Sequence, residues 1–217
     1  MIKILNTFLL ISLVFSIGYV YFEPEIIAAA DDTKKIDVTL SVTSEITLTS
    51  PGNIAMSRAI TMTTRTATGG DGVSWLVKTN NQAGYKLELK GDRANIMYDG
   101  GTTEYFTDYT EATAGVPETW SVASGDYEFG FSVFGTDTPT ATWGTDSDCV
   151  EAAHVPSSTL KYQGFKSVTA IQVATRAAKT PFAGITTTMC VAAEQGTAVY
   201  APSGSYTANV TGTATTL

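Results

Sequence analysis

Residues 36–49 alternate apolar and polar side chains, and this alternation constrains the fold more than any other feature of the chain. A period of two places one set of side chains on each face of a β-strand. The pattern predicts a long first strand with one buried and one solvated face, ending at Pro51-Gly52-Asn53. Its apolar positions, interrupted at Ser44, are Ile36, Val38, Leu40, Val42, Ile46 and Leu48.

Threonine supports a fold rich in strands, because it occupies 35 of the 187 positions after residue 30. Its β-branch suits a pleated strand and its hydroxyl suits a solvated face. Weaker strand patterns recur at residues 127–134, 168–174, 185–193 and 206–213, and alternation continues through residues 60–64. The sequence therefore predicts an all-β protein, an antiparallel β-sandwich of the Ig-like or jelly-roll-like kind.

Two strong strand patterns, residues 73–77 and 85–89, are separated by a polar stretch ending in Gly84. This spacing predicts a hairpin with a loop, with Trp75 and Tyr85 facing the core. No amphipathic helix of three turns is predicted, although residues 170–179 could hold a short one.

The character of the chain changes between residues 93 and 145, where Gly, Thr and Asp are dense and strand alternation is scarce. Ten of the 17 aromatic residues that follow position 30 lie between residues 98 and 143. These aromatic side chains could contact a sugar or a partner protein, or they could pack beneath their own long loops. The second interpretation is favoured, because loops of this length need internal packing to be ordered. The candidate ligand-binding aromatics are Tyr105, Tyr109, Trp120 and Trp143.

The N-terminal residues have the pattern of an export signal: Lys3, an apolar run over residues 4–22, and the small residues Ala28-Ala29-Ala30. Cleavage after Ala30 would leave a single sandwich domain over residues 31–217, with the loop-rich insertion at 93–145. The alternative is an uncleaved anchor, because the apolar run almost spans a bilayer. We expect the protein to be extracellular or on the cell surface.

The charge balance argues against two classes of partner. Residues 31–217 carry 12 basic and 19 acidic side chains, a net charge of −7. Nucleic acid is excluded because phosphate binding needs a clustered basic surface. Membrane association is likewise not expected once the signal is cleaved.

Cys149 and Cys190 are predicted to form a disulfide, since a lone pair of cysteines in an exported chain is usually bonded. Two buried free thiols are the alternative. Bonded cysteines would lie on neighbouring strands or at the base of one loop, with Cα atoms about 4.4–6.8 Å apart.

Few residues suggest catalysis or a cofactor. His154 is the chain's one histidine, and no G-x-S-x-G motif accompanies it. Asp146, Asp148 and Glu151 place three hard oxygen donors within six residues, which makes calcium the one cofactor considered. A solvated acidic turn beside the disulfide is the favoured interpretation of the three carboxylates.

Residues 73–87, with the pattern T-N-N-x-x-G-Y, and residues 202–211, with G-x-Y-x-x-x-V, resemble segments of exported bacterial β-sandwich surface proteins, including pilin-like and WxL-like subunits. The resemblance implies an exported structural domain. The chain lacks paired W-x-L motifs near its C-terminus, which puts peptidoglycan binding in doubt.

The sequence therefore favours a non-catalytic structural subunit of a surface layer, fibre or pilus, which associates with itself or with other surface proteins. Residues 36–48 could be donated to a neighbouring subunit as a strand, or they could remain the first strand of their own sandwich. The alternative function is an adhesin or carbohydrate-binding module that uses the aromatic segment, residues 98–143, to bind a glycan.

Overall fold

The computed structural model describes residues 36–100, 103–152, 154–166 and 168–217. The chain divides into two units, Met1–Val42 and Thr43–Leu217. The predicted signal segment, residues 1–30, lies outside the described residues. Within the described ranges, no helix is long and apolar enough to cross a bilayer.

The Thr43–Leu217 unit is almost entirely β, as the alternation and the threonine content predict. Its helical element is a single turn, α1 (Thr140–Trp143). Its strands, in chain order, are β1 (Ile46–Thr49), β2 (Thr66–Thr68), β3 (Val73–Thr79), β4 (Tyr85–Gly91), β5 (Tyr98–Asp99), β6 (Thr107–Asp108), β7 (Tyr127–Gly135), β8 (Val150–Ala152), β9 (Val155–Pro156), β10 (Ile171–Arg176), β11 (Ile185–Gln195), β12 (Tyr206–Thr207) and β13 (Val210–Thr216).

Two main sheets pack face to face as a β-sandwich. The larger sheet has the order β1-β3-β11-β7-β6, and β2 also pairs with the C-terminal part of β11. The smaller sheet has the order β10-β4-β13. Two short pairs, β12-β5 and β8-β9, lie outside these sheets. Pairing is antiparallel except between β6 and β7.

The core lies between the inner faces of the two sheets. Alternate residues of β3 and β4 are buried there, among them Trp75 and Tyr85, as predicted. The larger sheet adds Phe131 and Val133 from β7, and the smaller sheet adds Leu87 from β4. Because β3 and β4 bury every second side chain, the period of two in the sequence and the burial in these strands agree, whereas β7 and β11 bury runs of consecutive residues.

The predicted hairpin between β3 and β4 is wrong, although both strands exist. β3 pairs with β1 and β11, whereas β4 pairs with β10 and β13. The connection therefore crosses from one sheet to the other. Sandwich sheets lie about 10 Å apart, and five residues between Thr79 and Tyr85 are enough to cover that distance.

The predicted first strand is shorter than its alternation suggested. Only Ile46–Thr49 forms a strand, in register with residues 76–79 of β3. Beyond the end of β3, the Asn80 side chain replaces the backbone as hydrogen-bond partner of the segment before β1. Its Nδ2 donates to Thr43 O at 2.8 Å, and its Oδ1 accepts from Glu45 N at 2.7 Å. The ladder stops because β3 offers no further backbone partner beyond Thr79.

Three other local predictions also differ from the structure. Residues 60–64 form no strand, because Thr61 Oγ1 accepts hydrogen bonds from the amides of Thr63 and Thr64 and closes a turn. Residues 170–179 hold β10 rather than a helix, because pairing with β4 buries Val173 and Ala174. The strand predicted over residues 206–213 is divided into β12 and β13.

Candidate functional site

Residues 36–42, here called the apolar segment, expose the side chains that the alternation had marked for burial. Ile36, Val38, Leu40 and Val42 are 84%, 87%, 88% and 77% exposed. None of these residues belongs to a strand. These four large apolar side chains, at every second position, have no strand partner among the described residues, and an apolar row of this spacing is what β-strand addition uses.

Ile46 and Leu48, the other two members of the predicted assembly strand, behave differently. Both are half-buried in β1 and pack against the main core. The residues predicted to act as one assembly strand are therefore divided at Ser44, where the apolar series is interrupted. Only residues 36–42 remain available for donation.

An apolar groove of about 500 Å³ lies in the Thr43–Leu217 unit, and we call it the Met62–Tyr200 groove. One wall is residues 56–62 and the other is residues 200–204. The floor contains buried apolar side chains from β2, β11 and the loops around β5 and β6: Ala67, Ala193, Met97 and Phe106. The groove therefore opens directly onto the hydrophobic core.

Two side chains hold the walls of the groove. Gln195 is 2% exposed and bridges them: its Nε2 donates to Thr61 O at 2.7 Å, and its Oε1 accepts from Ala201 N at 3.0 Å. The Tyr206 hydroxyl donates to Pro202 O at 2.7 Å. A buried amide that satisfies backbone groups on both sides fixes the width of the groove.

The rim of the groove is also apolar. Met62 on one wall is 73% exposed and Tyr200 on the other is 62% exposed. Arg58 is the charged residue of the lining. Exposed methionine and aromatic side chains around a concave apolar site are typical of surfaces that bind another protein segment.

Sequence reasoning missed the Met62–Tyr200 groove. Its walls are separated by more than 130 residues along the chain, and the alternation around Ile60 and Met62 resembled an ordinary strand. The sequence did contain one indication of an exposed apolar surface: Met62 and Tyr200 are large apolar residues whose neighbours in the sequence are polar and turn-forming. No rule of sequence spacing could have brought them together.

The predicted disulfide between Cys149 and Cys190 is confirmed, with Cα atoms 5.3 Å apart. Cys190 lies in β11 and Cys149 directly precedes β8. Both are buried in a second, smaller core with Tyr109, Leu160 and Tyr162. The bond ties the central strand of the larger sheet to the loops outside it.

Two of the three acidic residues considered for calcium, Asp146 and Glu151, accept hydrogen bonds from protein hydroxyls and amides. Asp146 accepts from the hydroxyls of Ser157 and Thr159, which lowers its pKa. The hydrogen bonds of Ser158 lower the pKa of Glu151. Within the part of the chain that the structure describes, Asp146, Asp148 and Glu151 form no group of ligands suited to a metal.

The candidate ligand-binding aromatics are mostly covered. Tyr109 and Trp143 are each 1% exposed, and Trp120 is half-buried, with its ring stacked 4.6 Å from that of Tyr109. The Trp120 Nε1 donates to Glu194 Oε2 at 2.7 Å. Of the four, only Tyr105 is exposed, at 42%. The structure thus has these rings packing beneath their own loops.

His154 lies beside a serine. Its Nδ1 is 2.7 Å from Ser57 Oγ, which also accepts from Thr68 N at 3.3 Å. The Ser57–His154 contact therefore joins the turn before β9 to the segment preceding β2.

No protein-family model, curated protein or solved structure matches the chain. The apolar segment and the Met62–Tyr200 groove are the two surfaces of the described chain that suit binding to another protein segment.

Proposed function

We propose that the protein is a non-catalytic extracellular structural subunit of a surface layer, fibre or pilus, and that it assembles by donating residues 36–42 to a neighbouring subunit. The observation that carries this proposal is the exposure of Ile36, Val38, Leu40 and Val42, between 77% and 88%. The apolar face has the periodicity of a strand but no strand partner in the described chain.

The free energy gained by burying this surface is comparable to the free-energy cost of association. Burying four such side chains gains roughly 6–12 kcal/mol, at about 1.5–3 kcal/mol each. Association costs about 4–15 kcal/mol in lost freedom. Because the two quantities are similar, removing one apolar contact should shift assembly strongly, by about tenfold for each 1.4 kcal/mol.

The disulfide supports an extracellular location. Disulfides persist in oxidising compartments, and Cys149–Cys190 is buried and joins two distant parts of the chain. Export and removal of residues 1–30 belong to the same proposal. N-terminal sequencing of the protein recovered outside the cell should begin at Asp31, and a start at Met1 would contradict cleavage.

Substitutions on the two faces of the apolar segment test assembly. We expect the purified protein to form species larger than a monomer in sedimentation velocity, and elongated particles by electron microscopy. Leu40→Asp should raise the concentration needed for assembly at least tenfold, because it places a charge on the apolar face. Thr39→Asp is the matched control on the polar face and should assemble normally.

The fold of both variants is checked by circular dichroism, and their exposed positions should leave it unchanged. The proposal is wrong if the unsubstituted protein is monomeric at every concentration. It is equally wrong if Leu40→Asp and Thr39→Asp assemble alike.

A further inference from the structure

We propose that the Met62–Tyr200 groove is the acceptor for the apolar segment, residues 36–42, of a second copy of the chain. This inference rests on the proposed function and adds the binding site that the donated segment would occupy. Three observations carry it: the position of the groove in the sandwich, the reach of the chain, and the chemistry of the two surfaces.

The groove and the point where the apolar segment leaves the domain lie at opposite ends of the sandwich. Thr43, the first residue of the domain, is held by Asn80 just beyond the end of β3. That end of β3 aligns with Ile185, at the start of β11. The groove instead contains Ala193 and Gln195, at the end of β11. Between Ile185 and Ala193 a strand extends about 27 Å.

The apolar segment cannot fill the groove of its own domain while β1 stays paired. Val42 is bonded to Thr43, so its Cα atom lies about 3.8 Å from that of a residue held beside Asn80, just beyond the end of β3. The whole segment of seven residues spans at most about 25 Å when fully extended. A segment 36–42 that fills the groove must therefore belong to another copy of the chain.

Opposite placement of donor and acceptor also gives the assembly a direction. Each subunit would receive a segment at one end and donate one at the other. The contact uses two different surfaces, so it does not close on itself as a two-fold dimer does. Repeated head to tail, it produces a linear polymer with one free groove at one end and one free segment at the other.

The chemistry of the two surfaces matches. The apolar segment presents one row of aliphatic side chains, and the groove presents an apolar floor with Met62 and Tyr200 at its rim. Both surfaces are therefore mainly apolar, and packing one against the other removes apolar area from water.

Pairwise cysteine cross-linking tests the contact directly. One preparation of the full chain carries Leu40→Cys and another carries Met62→Cys, and the two are mixed under mild oxidation. Both positions are exposed, at 88% and 73%, so the folds should be unaffected. We expect a cross-linked dimer in the mixture on non-reducing gels, with residues 40 and 62 identified in one peptide by mass spectrometry. A preparation with Phe182→Cys, fully exposed but outside the groove, replaces Met62→Cys as the control.

A second variant tests the groove without new thiols. Tyr200→Glu places a charge on the rim, and we expect it to raise the concentration needed for assembly at least tenfold. Because Tyr200 is 62% exposed, its thermal unfolding should match that of the unsubstituted chain. A mixture of Leu40→Asp and Tyr200→Glu chains should recover a heterodimer, since each retains the surface that the other has lost.

The outcomes separate the two proposals. One outcome overturns the groove inference alone: Leu40→Asp blocks assembly, but Tyr200→Glu assembles normally and residue 40 does not cross-link to residue 62. The acceptor then lies elsewhere on the subunit. If Leu40→Asp has no effect, or the unsubstituted chain never assembles, both proposals are overturned. Cross-linking specific to residues 40 and 62, with loss of assembly in both variants, supports both.

Discussion

The indole ring of Trp75 occupies the space in which a side chain at position 212 would begin. A Cβ atom added to Gly212 would lie 2.6 Å from Cζ3 of Trp75. Trp75 belongs to β3 in the larger sheet, and Gly212 belongs to β13 in the smaller one. The close approach of the tryptophan ring to the opposite backbone is one of the contacts that set the distance between the sheets.

Gly212→Ala should therefore destabilise the protein. The added methyl group meets a rigid aromatic ring buried in the core, and overpacking of this kind costs about 1–3 kcal/mol. Urea unfolding followed by circular dichroism measures the loss. Gly52→Ala is the matched control, because a Cβ at Gly52 meets nothing within 4 Å. Equal stability of the two variants would contradict this account of the Trp75–Gly212 contact.

Removing the disulfide should lower the free energy of unfolding. The bond between Cys149 and Cys190 closes a loop with a sequence separation of 41, for which the chain-entropy model gives roughly 4 kcal/mol. The double variant Cys149→Ala, Cys190→Ala should lose at least about 2 kcal/mol in urea unfolding.

Reduction separates the effect of the covalent link from that of the side chains. The unsubstituted chain unfolded in the presence of a reducing agent should approach the stability of the double variant, while the double variant should not respond to the reductant. If reduction leaves the unsubstituted chain unchanged although mass spectrometry shows two free thiols, the bond does not stabilise the fold.

Much of the fold could be predicted from local pattern. Strands β3 and β4 follow from alternation, because each buries one face. Strands β7 and β11 bury consecutive residues and follow instead from their apolar, aromatic and β-branched content. Pairing could not be predicted in the same way. β3 and β4 are joined by a short loop yet lie in different sheets, and nothing in their sequences separates a hairpin from a crossing between sheets.

The candidate site likewise has one part that the local sequence reveals and another that depends on the tertiary fold. The apolar face of residues 36–42 was visible in the sequence, but its division from Ile46 and Leu48 depends on where β3 ends and on the Asn80 side chain. The Met62–Tyr200 groove required the tertiary fold, because the bridge made by Gln195 joins loops far apart in the chain. Short-range pattern identifies an apolar face, whereas its burial and the formation of a groove depend on which segments become neighbours.

Glu111 anchors the loop-rich insertion, and its removal should be costly. Its side chain accepts from Gly164 N at 2.9 Å and from Gly115 N at 3.3 Å, and it forms an ion pair with Lys166. Glu111→Ala leaves the buried Gly164 amide without an acceptor, which costs about 1–3 kcal/mol. Glu111→Gln keeps an acceptor oxygen and should lose less. Thermal unfolding ranks the variants, and a Gln variant as unstable as the Ala variant would contradict the role given to the amide contacts.

Glu128 should make the stability of the fold depend on pH. Burial raises the pKa of its carboxyl from 4.5 to about 7, the nearby Asp126 and Glu111 carboxylates add to that increase, and hydrogen bonds with Thr110 oppose it. In the unfolded chain the carboxyl ionises near pH 4.5. The folded state holds the proton until about pH 7, so between these values ionisation favours the unfolded chain. This contribution to stability therefore falls as pH rises from about 4.5 to 7 and stays constant above.

Glu128→Gln removes this ionisation while keeping a side chain of similar size. Near pH 4 the Glu128 carboxyl is protonated and uncharged in the folded protein, so its replacement by the uncharged glutamine side chain should change the free energy of unfolding little. Above pH 7 the variant should be more stable than the unsubstituted chain, by up to about 3 kcal/mol, since each pKa unit corresponds to about 1.4 kcal/mol. The measurement is urea unfolding at a series of pH values from 4 to 8. Glu45→Gln, at an exposed position, is measured alongside as the control for the Glu-to-Gln substitution itself. If the difference between Glu128→Gln and the unsubstituted chain is the same at pH 4 and pH 8, Glu128 does not titrate in this range in the folded protein.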